Sequence, residues 1–96
     1  MGINPADASP GDVVYSKAGR DKGLFFVVMS AADGYAMLCD GRKRKTDRPK
    51  RKKLKHLCLG AGHSEYIENK LKNGEKVTNA EFRRELVEYK TERECK

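Results

Sequence analysis

The chain has 96 residues, of which 38% are hydrophobic and 36% charged; it has no Trp and a formal net charge of +7. A chain this short predicts one small domain with a modest core, which excludes a deep small-molecule pocket. The charge excess is local: residues 1–60 hold 13 Lys/Arg against 6 Asp/Glu, whereas residues 61–96 hold 8 of each. The first part therefore calls for a polyanionic partner, and the second reads as an ordinary charged helical surface.

Residues 1–9, with Asn, Asp, Ser and Pro, predict a flexible lead-in. They lack the basic start and apolar middle of a signal peptide, and Ala6 breaks the myristoylation pattern. No run of about 18 apolar residues is present. Cys39, Cys58 and Cys95 make an odd number without repeated spacing, so no disulfide framework is expected and a reducing, cytoplasmic location fits.

The first strands are predicted at 12–17 and 24–30, joined by a turn that holds Lys17, Arg20 and Lys22. Gly19 and Gly23 supply the backbone angles of such a turn without any charge, so the three cations need another reason. A loop held by glycines brings backbone N–H groups and cations close to phosphates. The bland reading is that these are solvated charges, with Asp21 pairing Arg20 or Lys22.

Asp33-Gly34 predicts a turn, "YAMLC" a third strand over 35–39, and Asp40-Gly41 a further tight turn. Then "RKRKTDRPKRKKLKHL" places ten Lys/Arg between positions 42 and 55, opposed only by Asp47. The candidate phosphate contacts in it are Arg42, Arg44, Arg48, Lys50, Arg51, Lys52, Lys53 and Lys55, with His56 at its end. Such blocks are usually disordered or interaction tails, but Leu54 and Leu57 are buried-type residues that pin the end as a strand. Their spacing of three predicts a bulge or a short helical turn near His56. About four to six phosphate contacts would give a log-log salt slope of about −3 to −5, with little sequence information. Specificity would then come from RNA shape or from stacking by Arg, Tyr15 or Tyr35; for the tyrosines, packing at the strands competes with that role.

"GAG" at 60–62 reads as a domain boundary. Beyond it Ser64 caps a short helix with Ile67 and Leu71 on one face, ended by Asn73-Gly74. Thr78 and Glu81 match a capping box, with Val77 and Phe82 at the positions of a hydrophobic staple. Phe82, Leu86 and Tyr89 form an apolar stripe of helical spacing. Whether the stripe docks on the strands or on its neighbouring helix is open. The expected architecture is mainly β with a C-terminal α part: a small closed or nearly closed barrel over 10–59, then a helical tail over 60–96.

"GDVVYSKAGRDKGLFFVV" resembles the KOW motif, with Gly11, Asp12, Val14, Lys17, Gly19, Lys22 and Gly23 on the pattern. One position departs from it, because Phe26 stands where many KOW motifs carry a further glycine. "GYAMLCDGRKRK" is similar to the third strand and Asp-Gly turn of archaeal and eukaryotic large-subunit ribosomal proteins of the "fourteen-e" type. "RKKLKHL" looks like that family's closing segment, and "NGEKVTNAEFRREL" like the helical tail of short bacterial forms.

The resemblance implies an SH3-like barrel and a non-catalytic, ribosome-associated role in translation. RNA is the implied partner, large-subunit ribosomal RNA in particular, and ribosomal proteins would meet the helical tail. For His56 it implies a structural or RNA-facing role. The competing classes are an SH3-like protein-interaction module and a transcription-linked KOW factor.

Other motifs carry less. "PKRKKLK" could pass for a nuclear-import signal, a match that basic RNA-binding segments also produce by chance. His56, Cys58 and His63 lack paired metal-ligand spacing, so neither a metal nor another cofactor is expected. No nucleophile elbow or phosphate-binding glycine loop suggests an enzyme.

Overall fold

The computed structural model describes residues 8–89. Five strands and two helices follow in chain order: β1 (Asp12–Ser16), β2 (Phe25–Ala32), β3 (Tyr35–Cys39), β4 (Lys50–Lys53), a 3₁₀ turn (Leu54–His56), β5 (Leu57–His63), α1 (Glu65–Lys72), α2 (Asn79–Glu85) and a final 3₁₀ turn (Val87–Tyr89). The strands form one antiparallel sheet in the order β4-β3-β2-β1-β5. Bulges fall between Val13 and Tyr15 in the β1–β5 pairing and between Val28 and Ser30 in the β2–β3 pairing, where an extra residue bends a strand and sharpens its twist. The hydrogen-bonded ladder does not close on itself. β4 and β5 stand at its two edges, and the 3₁₀ turn connects them in sequence.

The apolar runs of β1 and β2 explain the two-layered core. Strand side chains alternate between faces, so an uninterrupted run such as "FFVV" must be covered on both. One face buries Val14, Phe26, Val28, Ala36, Leu38 and Leu57 together with Ala8. The other buries Val13, Phe25, Val27 and Cys39 beneath Ile67 of α1, Phe82 of α2 and Val77, which precedes α2. Ile67 and Phe82 are fully buried, each contributing roughly 1.5–3 kcal/mol of transfer free energy. The helices thus form the second layer of the same domain, and the apolar stripe docks on the sheet: Leu86 and Tyr89 pack against this second cluster.

Three expectations are corrected by the fold. Gly60–Gly62 is no boundary; it lies inside β5, where Gly62 pairs with Val13. The helical part is no separate tail, because its start is built into the β1 motif: a Cβ at Gly11 would stand 2.8 Å from both the Cβ of Glu68 and the carbonyl of Ser64. Cys58 is disulfide-bonded, contrary to the reading of the cysteine spacing, whereas Cys39 is free and buried. Burial pushes the Cys39 thiol up to about 11, which keeps it protonated and unreactive.

The caps are formed as read. The Ser64 hydroxyl accepts from the Ile67 amide at 3.2 Å. Thr78 and Glu81 close a capping box, with the Thr78 amide donating to the Glu81 carboxylate at 2.8 Å. Lys70 also donates to Glu81, as does the Tyr66 hydroxyl. These donors, Lys70 foremost, hold the Glu81 carboxyl at about 2. No helix among the described residues is long and apolar enough to cross a membrane.

Candidate nucleic-acid interface

The β1–β2 connection is a rigid loop. Ser16 and Leu24 close its neck, the Ser16 amide donating to Leu24 at 3.0 Å and the Gly23 amide to Ser16 at 2.9 Å. Gly19 and Gly23 take φ values of 82° and 90°, which side-chain-bearing residues adopt only with strain. The Lys22 amide returns to the Gly19 carbonyl at 3.2 Å. Lys17, Arg20 and Lys22 all face solvent on this frame, while Asp21 is buried.

The basic segment is hydrogen-bonded into the fold, and Asp40 begins it. One carboxylate oxygen of the buried Asp40 accepts the amides of Arg42 and Arg44, each at 2.9 Å. The amides of Asp40 and Gly41 in turn donate to the Arg44 carbonyl at 2.9 and 3.1 Å. α2 braces the segment from outside: Asn79 accepts the Thr46 amide at 2.8 Å, and Arg83 donates to the Gly41 carbonyl at 2.8 Å. Further on, "KRKK" pairs with β3 as β4. Strand alternation then sorts its cations, leaving Arg51 and Lys53 exposed, Lys50 half-buried and Lys52 buried.

Three contacts join the loop to the segment. Lys52 Nζ donates to the Ala18 carbonyl at 2.7 Å. Arg44 forms an ion pair with Asp21 at 3.3 Å. The Lys17 amide donates to the His56 carbonyl at 2.9 Å. The loop and both ends of the basic block therefore form one surface.

Its residues divide by role. Lys17, Arg20, Lys22, Arg42, Arg48, Arg51, Lys53 and Lys55 are exposed and form no ion pair with a described carboxylate. Lys43 and Lys45, which the candidate set omitted, are equally exposed in the same segment. Lys50 and His56 are half-buried at the rim. Lys52 and Arg44 are turned inward: they are latches of the loop rather than free phosphate contacts, and only the fold separates them from their neighbours. Asp21 thus pairs with Arg44, not with Arg20 or Lys22. The Nε of Arg44 is buried without a hydrogen-bond partner, so this latch holds by one arm.

Asp21 and Asp40, which flank the exposed cations, are both buried and hydrogen-bonded within the fold, whereas Asp47, inside the basic run, is exposed. Lys70, Lys72 and Arg84 of the helical layer form ion pairs with Glu81, Glu68 and Glu85. Tyr35 lies beneath the Arg51 guanidinium, 3.9 Å from its ring centre, an arrangement that flattens the guanidinium against the sheet edge. Tyr15 packs against Phe25, with ring centres 5.1 Å apart. No group of His, Cys, Asp or Glu among the described residues is arranged to hold a metal ion.

Compared with known proteins, the chain matches no family model and no curated protein.

Proposed function

We propose that this chain is a non-catalytic, cytoplasmic RNA-binding protein of the KOW type, ribosome-associated, which clamps structured ribosomal RNA between the loop 17–22 and the segment 42–56. The observation that carries this reading is the threefold connection of loop and segment through Lys52–Ala18, Arg44–Asp21 and Lys17–His56. It sets the exposed cations on a rigid frame, so little side-chain and loop ordering remains to be paid for on binding. Lys and Arg would fix position on the phosphates with release of counterions, and the shape of the frame would choose among RNA folds.

The strand order, with a 3₁₀ turn joining the two edge strands, supports an SH3-like barrel as the underlying fold. The burial of Phe82 between α2 and the sheet weighs against the protein-interaction reading in which the helical part is a free docking element.

Ultraviolet cross-linking in cells, followed by sequencing of the attached RNA, tests the proposal. Cross-links concentrated at one site of large-subunit ribosomal RNA are expected. Cross-links scattered over many RNAs would refute the ribosomal assignment, and their absence would refute RNA binding itself. Lys53→Glu with Lys55→Glu, both exposed, should abolish the concentrated signal.

A further inference from the structure

A groove of about 150 Å³ opens where the cationic loop, the start of the basic segment and α2 meet, lined by Leu24, Phe25, Asp40, Arg42, Arg83 and Val87 among others. It is smaller than the roughly 300–1,000 Å³ of an ordinary small-molecule site, which limits an occupant to something near one planar ring system. Leu24, Phe25 and Val87 give it an apolar wall, and Val87 is half exposed at the rim. Arg42 and Arg83 supply positive charge beside it.

Asp40 makes the groove selective. One of its carboxylate oxygens takes both loop amides, while the other has no hydrogen-bond partner among the described residues. Asp40 lines the groove and keeps 8% of its surface exposed there. A carboxylate oxygen beside an apolar wall repels phosphate and accepts from N–H groups. Among the parts of an RNA, the one that is flat, apolar on its faces and rich in N–H donors at its edge is an unstacked base.

Resting on the RNA-binding reading above, we propose that this groove receives a single unstacked RNA base bearing an exocyclic amine, which donates to Asp40 while Arg42 and Arg83 hold the flanking phosphates. Adenine, cytosine and guanine carry that amine; uracil does not. The groove thus adds base selection to a surface whose other contacts are blind to sequence.

The test uses the full chain and RNA hairpins of one stem sequence with all-A, all-C or all-U loops, with binding followed by fluorescence anisotropy. The A and C loops are expected to bind about tenfold more tightly than the U loop, the effect of one charge-assisted hydrogen bond. Asp40→Asn keeps an oxygen for the loop amides and offers an NH₂ to the groove. It should cancel or reverse the preference while leaving the salt slope unchanged. Val87→Trp, at an exposed position, should fill the groove and cancel the preference without the change at Asp40.

Equal binding of the three hairpins by the unmodified chain would overturn the proposal while leaving RNA binding standing. So would a preference that survives both substitutions. Failure to bind any hairpin would overturn the RNA-binding reading and the groove's role together.

Discussion

Lys52 Nζ meets the carbonyl of Ala18 at 2.7 Å, across 34 residues of sequence. The contact ties β4 to the β1–β2 loop and turns one cation of a basic run into a fixture of the frame that presents the others. Lys52 lies opposite the buried Ala36 in the β3–β4 pairing, so its stem leaves the sheet on the core side while Arg51 and Lys53 leave on the solvent side.

Lys52→Met should destabilise the fold by about 1–3 kcal/mol, because the Ala18 carbonyl loses a charged donor. RNA affinity should fall with the salt slope unchanged, since the Lys52 Nζ is held by the Ala18 carbonyl. Lys53→Met is the contrast: stability within about 0.5 kcal/mol of the parent, and a salt slope shallower by about 0.7–0.9 if its phosphate contact is lost. Urea denaturation and binding titrations at several salt concentrations separate the two.

Arg20→Ala combined with Lys22→Ala removes two exposed loop cations that no ion pair holds. The salt slope should lose about 1.4–1.8 with the melting temperature nearly unchanged. An unchanged slope would remove the loop from the interface.

Gly41 lies under α2, where an added Cβ would stand 2.3 Å from the Asn79 carbonyl at a φ of 77°. Gly74 has a similar φ of 72° and open space around it. Gly74→Ala should therefore cost only backbone strain, about 1–3 kcal/mol. Gly41→Ala should cost more, by displacing α2 from the basic segment, and it should weaken RNA binding as well. Thermal unfolding of the two variants side by side checks the ranking.

The His63 ring bridges Glu68 at 2.8 Å and Asp12 at 2.7 Å, joining β5 to α1 and β1. These carboxylates, Glu68 foremost, raise its folded-state pKa above 6.5. The protonated ring is thus favoured by folding, and its contribution is full below about 6.5 and fades as pH rises through the raised value. Glu68 has the opposite sign: His63 and then Lys72 lower it below 4.5, so its contribution holds above that value and fades as pH falls through the lowered one. Stability from this cluster should peak between about 4.5 and 6.5. A His63→Gln variant should show a flatter dependence of melting temperature on pH above the peak.

Phe82 is fully buried between α2 and the sheet. Phe82→Ala should cost about 3–5 kcal/mol. Because one cluster unites strands and helices, the far-ultraviolet signal of the sheet and of the helices should disappear in a single transition. Two separate transitions would show that the helices are an appendage after all.

The local features of the chain are legible in its spacing. Strand alternation, the Asp33-Gly34 turn, the caps at Ser64 and Thr78 and the position of the excess charge depend on neighbours a few residues apart, and each was legible from spacing. The helical turn near His56 was legible as one of two options, since a spacing of three between Leu54 and Leu57 breaks the strand period. Asp40-Gly41 was legible as a turn, but not as the site where a buried carboxylate organises the basic segment. The tertiary structure alone decided which cations face inward. Lys52 and Lys53 are chemically identical neighbours, and what separates them is a carbonyl brought to one side of β4 by the β1–β2 loop. It likewise decided that 60–62 belongs to a strand and that the helices cover the second face of β1 and β2. An apolar run states that both its faces must be covered, but the covering element is chosen by long-range packing, which no local pattern encodes.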